Sequence, residues 1–186
     1  QIPFSTNHSV DNPLSIYAAT KRSNELMSQS YANLFGIQMI GLRFFTVYGP
    51  WGRPDMAIWK FTESILSNKK INVYNNGRMK RDFTYIDDIV RGIISAIDYQ
   101  FNKKTKIKHK IYNLGNNRPI SILKMIGIIE KATGIKAKKK FLSMQPGDVK
   151  ETFADIDKSK EDLKFNPSIK LEEGIKAFVD WYKLYY

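Results

Sequence analysis

The chain has 186 residues, 42% of them hydrophobic, a formal charge of +12 and no cysteine. That length and apolar content suffice for one packed domain. The lack of thiols excludes disulfides, thiol nucleophiles and cysteine metal sites, and is compatible with a reducing cytoplasm. Only His8 and His109 are present, far apart in sequence, so no histidine-based metal site is expected. No apolar run approaches the roughly 18 residues of a membrane span, so no membrane partner is expected. The opening Gln1-Ile2-Pro3-Phe4 has neither an initiator methionine nor the basic-then-apolar order of a signal peptide, and the sequence is expected to begin inside a longer protein.

In chain order, a helix is expected from Pro13, near its first turn, to about Leu34. Its small residues Ala18, Ala19, Ser23 and Ser28 permit close approach of a neighbouring helix. Gly36 leads into a buried strand, Ile37 to Phe45, and then a Gly49-Pro50 loop. A helix follows from about Ile58 to Leu66, then a short strand Ile71–Tyr74 and a turn at Asn75-Asn76-Gly77. Asp82–Tyr85 extends, and Thr84, with Asp87 at capping-box distance, is expected to cap a helix carrying Ile86, Ile89, Val90, Ile93, Ile94 and Ile97. Ile111–Gly115 reads as a strand. Ser121 caps a helix from Ile122 to about Ala132 that Gly134 ends. Lys139–Leu142 is a short strand, Asp157–Leu163 a short helix, and Leu171–Tyr182 an amphipathic helix. A helix feeding a buried strand is half of a parallel α/β unit.

The positive charge is concentrated at Lys103–Lys110 and Lys136–Lys140. Neither run interleaves aromatics as a single-strand-binding groove does, so they read as solvated loops rather than a nucleic-acid footprint. A positive field also suits an anionic small substrate.

Tyr17 and Lys21 lie four residues apart, on one face of the first helix. An adjacent ammonium favours the phenolate. Moving a phenol from its usual pKa of about 10 to near neutrality takes roughly 4 kcal/mol of differential stabilisation. The product is a tyrosine able to accept a proton at neutral pH, provided that its hydroxyl is sheltered beside the lysine and not turned to water. The same spacing recurs at Tyr99 and Lys103, in a helix end running into the lysine-rich loop. Only the first copy precedes a helix–turn–strand unit.

Four blocks stand in order: Tyr17 to Lys21; Leu42 to Met56 (LRFFTVYGPWGRPDM); Met79 to Asp88 (MKRDFTYIDD); and Gln145 to Val149 (QPGDV). Together they resemble an extended short-chain dehydrogenase/reductase, and among those the nucleotide-sugar 4-epimerases, most narrowly the UDP-glucuronate 4-epimerases. The resemblance covers essentially the whole chain. It implies an α/β fold: the C-terminal part of a Rossmann-type parallel sheet plus a smaller α/β substrate-binding lobe. Residues 1–50 would end the NAD-binding domain, and 51–186 would be mostly the substrate lobe, with some segments returning to the sheet. The family's glycine-rich cofactor turn does not occur here, so the sequence corresponds to the C-terminal half of such an enzyme, and the isolated chain is expected to be inactive.

The resemblance also implies an isomerase of cytoplasmic polysaccharide biosynthesis, with NAD as cofactor, a UDP-sugar as substrate, and a homodimer formed through the Tyr17 helix. Tyr17 would take the proton of the sugar 4-hydroxyl as C4 is oxidised to a ketone. Lys21 would support Tyr17 and bind the nicotinamide ribose, and Phe45 would sit at the nicotinamide end. Thr46 stands where neutral-sugar epimerases have asparagine, and its hydroxyl suits a sugar carboxylate. Arg81 would clasp the pyrophosphate, with Arg53 assisting it or meeting the carboxylate. Asn72 and Tyr74 lie on the strand that meets uracil, and Asp148 would accept from the ribose hydroxyls. Gln145 departs from the arginine of many relatives, and Thr152 from the tyrosine of some. Related dehydratases and decarboxylases share these blocks. A basic nucleic-acid-binding or structural module is the alternative from another class. Without the resemblance, Arg53 and Arg81 read as surface ion-pair residues, Asp87 and Asp88 as a helix N-terminus, Asp155 and Asp157 as turn and cap residues, and Trp51 as either a lid or packing.

Overall fold

The computed structural model describes residues 1–101, 108–145 and 148–186. Most of the lysine run 103–110, the second Tyr-x-x-x-Lys pair at Lys103, and the Pro146-Gly147 centre of the last motif fall outside the described residues.

The α/β class is as expected. The first helix, α1, runs Ile16–Phe35. It starts three residues beyond Pro13, because the Ser15 hydroxyl accepts from the Ala18 amide at 3.1 Å and so fixes the boundary. Gly36, at φ 66°, closes α1 in the left-handed conformation. Strand β1 (Met39–Phe44) follows and pairs in parallel with β5 (His109–Leu114), Met39 opposite His109 and Phe44 opposite Leu114. The expected strand 37–45 is in fact two: the ladder with β5 ends at Phe44, and after Phe45 the residues Thr46–Tyr48 form β2, paired in parallel with β4 (Lys80–Tyr85). Helix α2 (Ala57–Leu66) leads to β3 (Lys70–Val73), which pairs in parallel with β7 (Lys138–Phe141). Tyr74 is not in that strand. It opens a single 3₁₀ turn, Tyr74–Gly77, in which Asn75 and Asn76 are left-handed, a conformation asparagine tolerates. Beside β4 also lie β6 (Pro119–Ser121), antiparallel, and β8 (Glu151–Thr152), parallel.

Helix α3 (Ile86–Ile97) is not capped by Thr84. Thr84 stays in the β2–β4 ladder opposite Val47, and its buried hydroxyl has no partner among the described residues. Tyr85 is the N-cap, without a side-chain bond. Helix α4 (Ile122–Thr133) has the expected ends: Ser121 accepts from the Lys124 amide, and Gly134 is left-handed. Helices α5 (Asp157–Leu163) and α6 (Leu171–Tyr185) complete the chain. Asp157 lies in the first turn of α5 and does not cap it, while Asp155 closes a turn by accepting from the Asp157 amide at 3.1 Å.

Two apolar clusters result. One joins α2, α4 and α6 to β3 and β4 through Ile65, Val73, Ile126, Ile129, Ile175 and Phe178. The other joins α3, β5 and α5 through Ile89, Tyr112, Leu114, Ile156 and Phe165. Asp82 in β4 is completely buried, and its carboxylate accepts from the amides of Asn116 (2.7 Å), Asn117 (3.0 Å) and Ala154 (2.9 Å). Burial pushes the Asp82 carboxyl up, against those three donors. Asp88, also buried, accepts from the Ser168 and Ile169 amides at 3.0 and 3.1 Å and pairs with Arg91, so it fixes the approach to α6 from within the first turn of α3.

Candidate functional site

Two groups of the expected site residues emerge, on different elements. The first is organised by α1. Glu25 accepts a bidentate pair from Arg43, near the end of β1, at 2.6 and 2.9 Å, and a third bond from Arg22 at 3.1 Å. One turn later, Ser28 bonds His109, the first residue of β5, at 2.8 Å. Moving along α1 from Ser28 to Glu25 therefore moves from the amino end of these parallel strands to their carboxyl end. Tyr17 lies eight residues further on, about 12 Å at 1.5 Å per residue, which carries it beyond the carboxyl edge. That edge is where open parallel α/β sheets bind ligands.

Phe45 and Thr46 occupy the same edge, immediately after β1. Phe45 is half-buried, its ring 6.3 Å from Phe4, and its amide donates to Leu114. Gly115 follows β5 there. A Cβ at Gly115 would lie 2.6 Å from the Ala154 methyl, 2.9 Å from Asp82 Oδ2 and 3.2 Å from the Phe45 ring, so only glycine fits. Arg53 is exposed and paired with Asp55 through 3.0 and 2.5 Å bonds. Its pKa is raised, first by the hydrogen bond to Asp55, then by that carboxylate's charge, with a smaller effect from Tyr17. Arg53 stands in the loop between β2 and α2.

The Tyr17–Lys21 pair forms, with a correction to the expected geometry. Lys21 Nζ lies over the Tyr17 ring, 5.3 Å from its centroid, in cation–π contact. Among the described residues no hydrogen bond joins it to the hydroxyl. Tyr17 is 71% exposed, against the expectation of a sheltered phenol. The cause is local: Ala32 is the one buried residue of α1, the bonds from α1 to the sheet come from Glu25 and Ser28, and the first two turns project past them.

The Glu25 clamp is thus what orients the α1 end bearing Tyr17. The Arg43 hydrogen bond is the main cause that holds the Glu25 carboxyl below its usual 4.5, against burial. A depressed carboxyl stabilises the fold fully above pH 4.5, and that contribution is lost as pH falls through the lowered folded value. Glu25→Gln should cost about 1–3 kcal/mol at pH 7, as expected for charge-assisted bonds, and should match wild type in strong acid. Urea titrations at a series of pH values from 7 downward check this, the difference between the two proteins shrinking as pH falls.

The second group lies around β4. Arg81, with a side chain 17% exposed, donates to Asp148 at 2.7 Å and to the Lys80 carbonyl at 2.9 Å. Thr152 sits opposite Arg81 in the β4–β8 pairing. The Asp148 amide donates to the Gln145 carbonyl at 3.3 Å, while the Gln145 side chain is exposed. Asn72 projects from the exposed face of β3, opposite Lys140, and Tyr74 follows in the 3₁₀ turn. The amide of Leu142 donates to Val73 and that of Asn76 to Leu142, which ties the end of β7 to this strand. Arg81 and Asp148 were expected to touch different parts of a ligand, yet they bind each other. The pairing leaves both able to meet a ligand, since a guanidinium has five donors and a carboxylate two acceptor oxygens. Arg53 and Arg81 are both ion-paired, one exposed and one sheltered.

The role of Asp82, and that of Asp88 beyond the helix N-terminus where it was expected, escaped notice because nothing local in sequence marks a carboxylate that accepts from backbone 34 to 81 residues away. No cluster of His, Cys, Asp or Glu suited to a metal occurs among the described residues, and no helix is long and apolar enough to cross a membrane.

The chain is similar to several known proteins. An uncharacterized protein of Methanocaldococcus jannaschii is 54% identical over 98% of this chain and 54% of its own length. UDP-glucuronate 4-epimerase 5 of Arabidopsis thaliana is 44% identical over the whole chain and 45% of its own length. The crystal structure of UDP-glucuronic acid 4-epimerase from Bacillus cereus, in complex with UDP-glucuronic acid and NAD, superposes with a TM-score of 0.84 at 40% identity, covering 94% of this chain and 55% of that one. The chain thus spans about half the length of the relatives it matches. A profile of the NAD dependent epimerase/dehydratase family matches residues 1–115, the stretch that carries α1, the β1–β5 pair, Phe45, Thr46, Arg53 and Arg81, and the chain belongs to that family.

Proposed function

We propose that this chain is the C-terminal half of an NAD-dependent UDP-glucuronate 4-epimerase. The observation that carries the proposal is the anchoring of α1 by Glu25–Arg43 and Ser28–His109, which projects Tyr17 and Lys21 past the carboxyl end of β1, the end that Phe45 and Thr46 follow. The residues fit the nicotinamide end of a dinucleotide: an aromatic ring at the strand ends, with a phenol and an ammonium on one helix face. Bound NAD would supply the reversible hydride acceptor for C4.

In this scheme the cofactor-bearing half of the full-length polypeptide would shelter the Tyr17 side chain that this chain leaves exposed, and Tyr17 would take the 4-hydroxyl proton and return it once the 4-keto sugar has rotated. Lys21 keeps positive charge against the phenol and donates to the nicotinamide ribose. The Thr46 hydroxyl and the Arg53 guanidinium receive the sugar carboxylate, and the Arg81 fork meets the pyrophosphate. Asp148 accepts from the uridine ribose while still holding Arg81. Asn72 and Tyr74 border the uracil, with Gln145 and Thr152 at the margin of the diphosphate. A dimer through α1 fits its exposed Leu26, Met27, Tyr31 and Leu34.

The full-length polypeptide, supplied with NAD and UDP-glucuronate, should form UDP-galacturonate, followed by proton NMR of the sugar. Release of carbon dioxide, loss of water from the sugar, or no turnover would overturn the proposal. Thr46→Ala should lower kcat/KM for UDP-glucuronate by about tenfold or more, with neutral UDP-sugars within about threefold. Equal losses on both would remove the case for the acidic sugar.

A further inference from the structure

Trp51 is 72% exposed, yet its backbone lies in the left-handed region at φ 61°. A bulky side chain is an outlier there and persists only where its surroundings hold it. The holding contacts are with α6: the Trp51 ring lies 5.2 Å from Trp181 and 4.9 Å from Tyr185, both edge-on. Trp181 is itself wedged against Trp59 and Phe178, and its indole nitrogen has no hydrogen-bond partner among the described residues, so ring contacts alone retain it. At the other end of α6, a Cβ on Gly174 would overlap the Tyr48 hydroxyl, so this helix also lies directly on the residue that precedes the loop. The loop between is short, closed by Gly52 N–H to Gly49 and Met56 N–H to Arg53, each 3.2 Å.

We propose that Trp51 is a positioning residue: the last turn of α6 grips its ring and thereby sets the Gly49–Arg53 loop that carries Arg53. This deepens the epimerase proposal and rests on the role it gives Arg53. An aromatic edge contact is directional, so it can fix a loop that burial leaves exposed. The competing account is that the loop is rigid through its own turn and Trp51 merely adheres.

Amide exchange on the 186-residue chain separates the two without reference to catalysis. Trp51→Leu and Tyr185→Leu should speed exchange at Gly52 and Met56 by about tenfold or more, with Ile129 in the core unchanged. Trp51→Phe should retain most protection. Trp51→Gly removes the backbone strain together with the ring, and should behave as Trp51→Leu. Protection kept in Trp51→Gly, or unchanged in the leucine variants, would overturn the proposal. In the full-length enzyme, Trp51→Leu should raise KM for UDP-glucuronate about tenfold with kcat within about twofold, and Trp51→Phe should recover it. An unchanged KM would overturn the link to Arg53. If the wild type shows no UDP-glucuronate turnover, the epimerase proposal falls, and the exchange result still decides whether α6 holds the loop.

Discussion

Tyr17→Phe in the full-length polypeptide is expected to lower interconversion of UDP-glucuronate and UDP-galacturonate by about a thousandfold, within the range for loss of a general base, while UDP-glucuronate binding stays close to wild type. The substitution is informative because of how Lys21 is placed. Its ammonium lies over the ring, 5.3 Å from the centroid, and phenylalanine keeps that ring. The cation–π contact, the α1 packing and the Glu25 clamp should all survive, so only the oxygen is removed. An exposed residue at the start of a helix also contributes little to folding, so lost turnover would not reflect an unfolded protein. Binding measured by calorimetry and turnover measured by NMR should separate: affinity kept, rate lost. A Tyr17→Phe enzyme that turned over at near wild-type rate would show that the proton goes elsewhere, and the assignment of the α1 face as the site would fail with it. Lys21→Met offers an internal comparison. It should lose rate as well, since the phenolate would be left without its nearby ammonium, but less completely.

How much of this could be read from residues alone depended on the range of the interaction. Helix α4 was fully legible, because Ser121 and Gly134 sit at its ends and their roles are local. The Tyr17–Lys21 pair was legible for the same reason, four residues on one helix. The start of α1 was misplaced by three residues because Pro13 and Ser15 both signal a helix start, and only the bond to the Ala18 amide shows that the hydroxyl decides. Thr84 was misread because a capping-box spacing is also satisfied by a residue held in a strand ladder. Strands β2, β6 and β8 have two or three residues each, too few to show a period. The exposure of Tyr17 could not be foreseen, since it follows from where Glu25 and Ser28 anchor α1. Most opaque were contacts between distant segments: Arg81 with Asp148, Glu25 with Arg43, and Asp82 with three amides. Each residue is ordinary in its own stretch, and its partner is decided by topology.

Asp82 is where that opacity has its largest consequence. From β4 its carboxylate accepts amide hydrogens of Asn116 and Asn117, after β5, and of Ala154, after β8, so one buried side chain joins three segments. Asp82→Ala leaves those donors without an acceptor at a site closed to water. At about 1–3 kcal/mol for each unsatisfied buried group, and allowing for partial relaxation, the loss should be about 4 kcal/mol. That is a large part of the 5–15 kcal/mol typical of a domain. Asp82→Asn should fall between, at about 2 kcal/mol. One amide oxygen can replace Oδ2 and keep Asn117 and Ala154, but the NH₂ then faces the Asn116 donor. The pH dependence gives an independent check. Burial holds the Asp82 carboxyl above its usual 3.8, so between the two values the folded state binds more protons than the unfolded one, and wild type loses stability as pH rises through that interval. Asp82→Asn has no such dependence, so its deficit relative to wild type should be greatest below pH 3.8 and should shrink as the carboxyl ionises. Denaturant titrations of both proteins across that interval read the sign directly. A deficit that grew with rising pH would mean that the three donors outweigh burial and that this carboxylate is stabilised as an anion.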